Sequence, residues 1–196
     1  MRRGTEEKKA KLLKCGMDLM HRNGYSATSV DDIVRSAGIP KGSFYNYYKS
    51  KEEFAVDALH VYTDAVVQMK AEIGANGSIS AKERLRKIFN ASCKELKKSK
   101  YALGCFCGNM AQEVSDTNPE MRKIIEESFV KMRNNMTALI EEGIIDKSIP
   151  SGANPERLAD FILNTWEGAL LRMKSAKSPE PLDLFLEYLD SILEKK

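Results

Sequence analysis

The sequence contains few cysteines and histidines and no long apolar run. Four cysteines and two histidines in 196 residues are too sparse to suggest a disulfide framework. The closely spaced Cys105 and Cys107 lack obvious partners for a metal site. No apolar stretch approaches the ~18 residues of a membrane-spanning helix, and the first residues lack the pattern of a secretory signal. We therefore expect a cytoplasmic protein without a metal or a membrane partner.

Sequence motifs of the common enzyme classes are also missing. We find no glycine-rich phosphate loop, no nucleophile elbow and no helix-borne metal motif. The carboxylates are scattered over positions typical of helix starts and solvated surfaces. We therefore expect a protein that is not an enzyme and has no cofactor.

Positive charge is concentrated at one end of the chain. Residues 1–51 contain eleven Lys and Arg against five Asp and Glu, whereas the remainder contains twenty against twenty-three. A local excess of cations is what phosphate binding requires. Charge alone also fits an ordinary solvated surface, so the prediction of nucleic-acid binding depends on the motif described below.

Apolar residues recur at helical spacing along the chain, and no alternating strand pattern interrupts them. The pattern predicts an all-α fold of about nine helices. We expect a three-helix unit in residues 1–50 and a second helical domain in residues 51–196. The first helix is expected to begin at Thr5 after a loose arm, and Gly143 is expected to end the seventh.

Two short helices separated by a tight turn are predicted between residues 29 and 51. Ser29 is a good N-cap, Gly38 suits a turn with positive φ, and Pro40 suits the start of a second helix at residues 41–48. This second helix is too polar for a core helix, and its outward side chains suit a major groove. The residues expected to point outward are Lys41, Gly42, Ser43, Tyr45, Asn46 and Tyr48.

Two further positions are predicted to contact phosphates. Thr28 or Ser29 opens a helix whose free N–H groups suit an anion, although a plain N-cap explains the same residues. Lys51 lies in the first turn of the next helix, where the helix dipole disfavours a cation. A phosphate partner near Lys51 would explain that placement.

These segments resemble the TetR family of bacterial transcriptional regulators. The matching residues are 24–33 (GYSATSVDDI), 37–48 (AGIPKGSFYNYY) and 51–54 (KEEF). The resemblance implies an N-terminal helix-turn-helix reader of double-stranded DNA and a C-terminal ligand-binding and dimerisation domain. It also implies a ligand-responsive regulator, repressing by family default, and a phosphate contact for Lys51. A helical protein-interaction module without sequence-specific DNA binding is the alternative.

A homodimer on a palindromic operator is expected because so short a recognition helix reads only a few base pairs. The last two helices supply apolar positions for an isologous four-helix interface, which the resemblance also implies. The alternative is that they only close the core of the monomer. The predicted interface residues are Leu158, Ile162, Thr165, Ala169, Leu182, Phe185 and Leu189.

The middle helices are rich in aromatic and methionine side chains, which suit either an ordinary core or an adaptable pocket. By resemblance, an unknown small-molecule inducer binds among them and moves the two DNA readers out of register. The predicted pocket residues are Tyr62, Met69, Phe89, Phe106, Met110, Phe129, Met132 and Trp166.

Cys105 and Cys107 flank Phe106 in front of a predicted helix N-terminus. Such a position favours the thiolate and makes a cysteine reactive. Some members of the family sense oxidants or electrophiles through a cysteine in this region. The hypothesis is that Cys105 or Cys107 is a sensor, with Lys174 as an electrostatic helper; the alternative is two buried small residues.

Overall fold

The computed structural model describes the backbone of residues 2–194 and the side chains of residues 6–194. Over that part of the chain all regular secondary structure is helical, which confirms the predicted all-α fold of about nine helices. The helices, in chain order, are α1 (Arg2–Asn23), α2 (Val30–Ala37), α3 (Lys41–Phe44), α4 (Lys51–Gly74), α5 (Ala81–Lys98), α6 (Phe106–Val114), α7 (Pro119–Ile145), α8 (Pro155–Ala176) and α9 (Glu180–Glu194).

The first helix begins earlier than the sequence pattern predicted. The backbone of residues 2–4 is already helical, so the expectation of a loose arm there is wrong, and Met1 lies outside the described residues. The expected cap at Thr5 is replaced by continuous helix.

The end of α7 also differs from the prediction. The helix continues past Gly143 to Ile145. A Cβ atom on Gly143 would lie 2.6 Å from Cδ1 of Ile149, a fully buried side chain of the following loop. Glycine is therefore required here for close packing of Ile149 and does not terminate the helix.

Local capping bonds explain where several helices start. The Ser29 Oγ accepts a hydrogen bond from the Asp32 N–H at 3.1 Å, and the Asp32 carboxylate accepts one from the Ser29 N–H. Ser80 and Glu83 form the same reciprocal pair at the start of α5. These capping boxes satisfy N–H groups that a helix leaves unpaired at its first turn.

The chain divides into two compact units, and α4 and α7 contribute residues to both. The first unit consists of the chain up to Tyr62 together with Phe106–Ser128. In its core, Gly16 of α1 meets α2 and α4 so closely that a Cβ atom would lie 2.4 Å from Phe54 and 2.7 Å from Ile33. The absence of a side chain at Gly16 thus allows α1 to pack closely against α2 and α4.

The second unit consists of Thr63–Cys105 together with the chain from Phe129 onward. Its core contains three aromatic rings in mutual contact, those of Phe89, Trp166 and Phe185, with centroid separations of 4.8 to 5.0 Å. Aromatic clusters of this size dominate the burial energy of a small domain. The predicted functional boundary after residue 50 remains a prediction.

Candidate nucleic-acid interface and regulatory sites

The turn between α2 and α3 positions the candidate reader. Ile33, Val34 and Ala37 bury one face of α2. Gly38 adopts the left-handed conformation with φ of 65°, and its N–H donates to the carbonyls of Val34 and Arg35. Because glycine adopts this conformation without steric cost, only three residues are needed between the end of α2 and the start of α3.

The second short helix is shorter than predicted. It ends at Phe44, and residues 45–47 form a turn. The N–H groups of Tyr47 and Tyr48 both donate to the Phe44 carbonyl, at 2.9 and 3.0 Å. Ser50 then accepts a hydrogen bond from the Glu53 N–H and starts α4. Helix α3 therefore ends at Phe44, and the turn after it leads to Ser50 at the start of α4.

Tyr48 does not point outward, and its predicted role in direct DNA contact is wrong. Its side chain is 3% exposed, and its ring packs against Phe44 and Phe54. Its hydroxyl donates to Asp57 at 2.7 Å. Burial and then this hydrogen bond raise the pKa of Tyr48 far above its ordinary value. Tyr48 therefore supports the reader from within the core.

A polar row remains on the outer side of α3 and the following turn. Lys41, Gly42, Tyr45 and Asn46 are exposed, while Ser43 is half-buried. A Cβ atom on Gly42 would meet nothing within 4 Å, so the backbone here is open to close approach. These five predicted residues therefore lie together on one accessible surface, which we call the α3 surface.

An ion pair orients the cation of the α3 surface. The Lys41 Nζ lies 2.9 Å from a carboxylate oxygen of Asp31 on α2. The hydrogen bond to Asp31, and then its charge, raises the pKa of Lys41, so the ammonium stays protonated at neutral pH. Because both groups are solvent-exposed, a phosphate or base edge can compete with Asp31 for the lysine.

The two residues before α2 have different environments. Thr28 is 1% exposed, and its hydroxyl donates to the Gly24 carbonyl at 2.7 Å. That hydroxyl is committed to the α1–α2 loop, so its predicted role as a phosphate ligand is wrong. Ser29 is exposed and caps α2 through its hydroxyl. Ser29 therefore remains a candidate for phosphate contact.

Lys51 already has partners within the chain. Its Nζ donates to the Tyr25 carbonyl at 3.0 Å and lies 4.1 Å from the centroid of the Tyr25 ring. These contacts hold the ammonium at the N-terminus of α4, next to the loop before α2. They give a structural reason for a cation at this position, alongside the predicted phosphate contact.

Sequence reasoning did not identify Glu113 of α6. Its carboxylate accepts hydrogen bonds from the N–H groups of Tyr25 and Ser26, at 3.0 and 2.9 Å. It thereby ties α6 to the loop between α1 and α2 within the first unit. The bonded residues are nearly ninety positions apart, so no local pattern could have indicated this contact.

The predicted pocket residues fall into two groups. Phe89 and Trp166 lie together in the aromatic cluster of the second unit. Met69, Phe129 and Met132 also belong to the second unit. The remaining three belong to the first unit, where Tyr62 and Phe106 have ring centroids 5.5 Å apart and Met110 is buried. His21 lies against both of these rings. A shared inducer pocket remains a prediction.

Both cysteines of the predicted sensor are buried. Cys107 lies inside α6, and Cys105 immediately precedes that helix and is 6% exposed. Cys105 forms a side-chain hydrogen bond with Glu167, and Lys70 interacts electrostatically with both residues. Sequence reasoning named Lys174 as the helper and missed Glu167 and Lys70. The only signal for them is tertiary packing.

Burial governs the charges around Cys105. It raises the pKa of Glu167 to about 9, with further contributions from Cys105, so this carboxyl is neutral at pH 7. Burial also lowers the pKa of Lys70, although Cys105 and Glu167 act in the opposite direction.

The last two helices are apolar on two sides. Four predicted interface residues, namely Ile162, Leu182, Phe185 and Leu189, fill the core of the second unit and are at most 3% exposed. They leave little surface for a partner, although Phe185 also lines a groove between α8 and α9, and their place in a dimer interface stays a prediction. Of the other three, Thr165 is exposed, Leu158 is half-buried and Ala169 is nearly buried.

The outward side of α8 and α9 nevertheless remains apolar. Thr165, Gly168, Leu184 and Tyr188 line a groove between the two helices. Large apolar side chains, each more than half exposed, lie on these helices: Phe161, Leu171, Leu184 and Tyr188. We call this the α8–α9 surface.

Neither a metal cluster nor a membrane-spanning helix is found within the described residues. No three His, Cys, Asp or Glu side chains there are grouped to hold a metal ion. None of the helices in that part of the chain is long and apolar enough to cross a bilayer.

Two family models match the chain. One, described as bacterial regulatory proteins of the tetR family, covers residues 12–58. The other, described as the tetracyclin repressor-like C-terminal domain, covers residues 81–189. The first match contains α2 and α3, and the second contains most of α5 to α9.

Known proteins resemble this chain over most of its length. The HTH-type transcriptional repressor DhaR of Mycobacterium sp. (strain GP1) is 33% identical over 175 residues, or 89% of this chain and 86% of DhaR. The HTH-type transcriptional repressor NemR of Escherichia coli (strain K12) is 25% identical over 182 residues, or 93% of this chain and 92% of NemR.

Solved structures show the same fold. A regulatory protein TetR from Rhodobacter sphaeroides superposes with a TM-score of 0.89 at 26% identity, covering 93% of this chain and 97% of that one. The reduced form of E. coli NemR superposes with a TM-score of 0.86 at 26% identity, covering 96% and 98%. These matches confirm the resemblance seen in residues 24–54: the chain belongs to the TetR family of bacterial transcriptional regulators.

Proposed function

We propose that the chain binds a palindromic DNA operator as a homodimer and represses transcription. A small-molecule inducer, or modification of Cys105, releases it from the DNA. The observation that carries the DNA-binding part is the α3 surface, on which Lys41, Gly42, Tyr45 and Asn46 are exposed together. The relatives named as repressors favour repression over activation.

The α3 surface suits a major groove for physical reasons. Lys41 and Asn46 supply donors for base edges or phosphates, and the open backbone at Gly42 permits close approach. Phe44 is fully buried and holds the short helix in place. Ser29 and Lys51 supply further candidate phosphate contacts.

A homodimer follows from the small footprint of α3 and from the exposed α8–α9 surface. One four-residue helix reads few base pairs, so two copies about one helical turn apart are needed for specificity. Exposed Leu184 and Tyr188 supply an apolar face that a second copy can cover.

Release through Cys105 is supported by its surroundings. The thiol is nearly buried and hydrogen-bonded to Glu167. An added group on its sulfur must break this bond and displace packed neighbours. Cys105 is also the last residue of a segment of the second unit, and Phe106 begins α6 in the first. A disturbance at Cys105 can therefore move α6 and, through Glu113, the loop before α2.

The first experiment is fluorescence anisotropy of the full chain on DNA from upstream of its own gene. A scrambled duplex serves as control, and both are titrated at two salt concentrations. The proposal requires tight, sequence-selective and salt-sensitive binding. Absence of binding at any salt concentration would instead favour a protein-interaction module.

The second experiment alkylates the protein with iodoacetamide before the same assay. Because Cys15 and Cys93 are half-buried and can react too, both are first replaced with serine. Alkylation should then reduce operator affinity, and a further Cys105→Ser change should abolish this effect, whereas Cys107→Ser should not. Full alkylation of Cys105 with unchanged affinity would refute its role as a sensor.

A further inference from the structure

A cavity of about 500 Å³ lies within the second unit, and the proposed function does not use it. Residues from the end of α4, the loop that follows it, the start of α5 and the C-terminal half of α7 line it. It shares none of the eight residues predicted for the inducer pocket. Its volume lies within the range of small-molecule sites.

Two buried cationic side chains line this cavity. Lys70 is 7% exposed and Arg84 is 8% exposed. Buried lysine and arginine are rare unless an anion or a polar network compensates them. Their presence in one cavity points to a ligand of the opposite charge.

Arg84 is only partly satisfied by the protein. Its Nη1 donates to the Gly74 carbonyl at 2.6 Å and lies 2.7 Å from a carboxylate oxygen of Glu142. Its Nε is buried and has no hydrogen-bond partner among the described residues. Buried polar groups usually have a hydrogen-bond partner, so this N–H of Arg84 lacks an acceptor that a ligand oxygen would supply.

The two basic side chains of the cavity have different partners. Glu142 is more than half exposed and compensates Arg84. The carboxyl near Lys70 is that of Glu167, which burial keeps neutral at pH 7 by raising its pKa to about 9. The lysine ammonium instead lies 5.8 Å from the centroid of the Phe89 ring. Burial lowers the pKa of Lys70, and an anion bound in the cavity would act in the opposite direction and stabilise the charged lysine.

We propose that this cavity binds a small organic monoanion through its carboxylate, held by Lys70 and by the Nε of Arg84. One carboxylate supplies the missing acceptor for Arg84 and one negative charge for Lys70. The half-polar wall, which includes the exposed Ala138 and half-buried Asn135, surrounds the remainder of the ligand. Binding itself is independent of the DNA-binding proposal, and only an effect on DNA release rests on it.

The test is isothermal titration of the full chain at pH 7 with benzoate, phenylacetate and hexanoate. Each is compared with its amide, which has the same shape but no charge. At least one carboxylate should bind, and its amide should bind at least about ten-fold more weakly, because the buried cations then lack an anion. If none of the three carboxylates binds, or if each binds no better than its amide, the proposal is overturned.

Two variants test the location of the site. Lys70→Met keeps the apolar stem and should lower the affinity for the carboxylate by about ten-fold or more. Lys87→Met, at an exposed position of α5, is the matched control and should leave affinity unchanged. Ala138→Trp should block the cavity sterically from an exposed position, so it tests the site without altering the core.

Wild-type affinity in both Lys70→Met and Ala138→Trp would overturn the proposal. Operator binding is measured separately without any carboxylate. A chain that binds carboxylates but not DNA would refute the proposed function and leave this site intact. A chain that binds DNA but none of the carboxylates would refute only the carboxylate site.

Discussion

Replacing Lys51 with methionine removes one ammonium and leaves the apolar stem in place. In the free protein the variant loses the 3.0 Å hydrogen bond to the Tyr25 carbonyl and the contact with the Tyr25 ring. A partly exposed hydrogen bond contributes about 1 kcal/mol, and a cation over an aromatic ring about 0.5–1 kcal/mol. We therefore expect the free energy of unfolding to fall by ~1–2 kcal/mol, which lowers Tm by ~2–8 °C.

The same substitution has a separate effect on DNA binding. If each Lys51 of a dimer contacts one phosphate, the variant loses two contacts, and its salt slope becomes shallower by ~1.8. A four-fold increase in salt concentration should then reduce the DNA affinity of the variant about ten-fold less than that of the wild type. Sequence preference should stay unchanged, because phosphates carry no sequence information.

The assay is fluorescence anisotropy on operator and scrambled duplexes at several salt concentrations, well below the Tm of the variant. Lys94→Met, at an exposed position of α5, controls for the loss of one positive charge. A lower Tm with an unchanged salt slope would show that Lys51 only supports Tyr25. A changed order of preference among operator variants would show that Lys51 reads a base.

Three further predictions concern other residues. Lys41→Ala should weaken operator binding by about ten- to hundred-fold and relax specificity; an equal loss on random DNA in the anisotropy assay would make Lys41 a phosphate contact. Tyr48→Phe should lower the free energy of unfolding by ~1–2 kcal/mol, because Asp57 loses its buried donor. Urea denaturation measures this, and operator affinity should be unchanged, whereas a loss of affinity at unchanged stability would return Tyr48 to the DNA surface. Burial raises the pKa of Glu167 from 4.5 to about 9 beside Lys70, so the native state binds more protons and its stability falls as pH rises through this window. Glu167→Gln removes that loss, so the Tm of the variant relative to wild type should rise between pH 5 and pH 9; a difference independent of pH would contradict the assignment.

Local sequence chemistry predicted the reader motif well. Ser29, Gly38 and Pro40 act through their own backbone conformations and hydrogen bonds, which depend on neighbours only a few residues away. The cap at Ser29 and the left-handed conformation at Gly38 occur as expected. The sequence also predicted the family, because the ordered run of residue types from 24 to 54 is long.

Predictions about side-chain direction were less successful. Tyr48 and Thr28 are polar residues beside exposed ones, and their polarity suggested solvent contact. Both are buried, because Asp57 and the Gly24 carbonyl supply hydrogen-bond partners that a linear pattern cannot show. In α8 and α9 the sequence pattern identified the apolar positions. It could not show which of them face the core and which face outward.

The sequence by itself determined the helices, the turn that separates α2 from α3 and the family, since these depend on local conformational preferences and residue order. The tertiary structure alone decided which polar groups are exposed, that Glu113 accepts the amides of Tyr25 and Ser26, and that Lys70 lies near Cys105 and Glu167. Those relations join residues distant along the chain. Their charges and hydrogen bonds depend on burial, which exists only once the helices have packed.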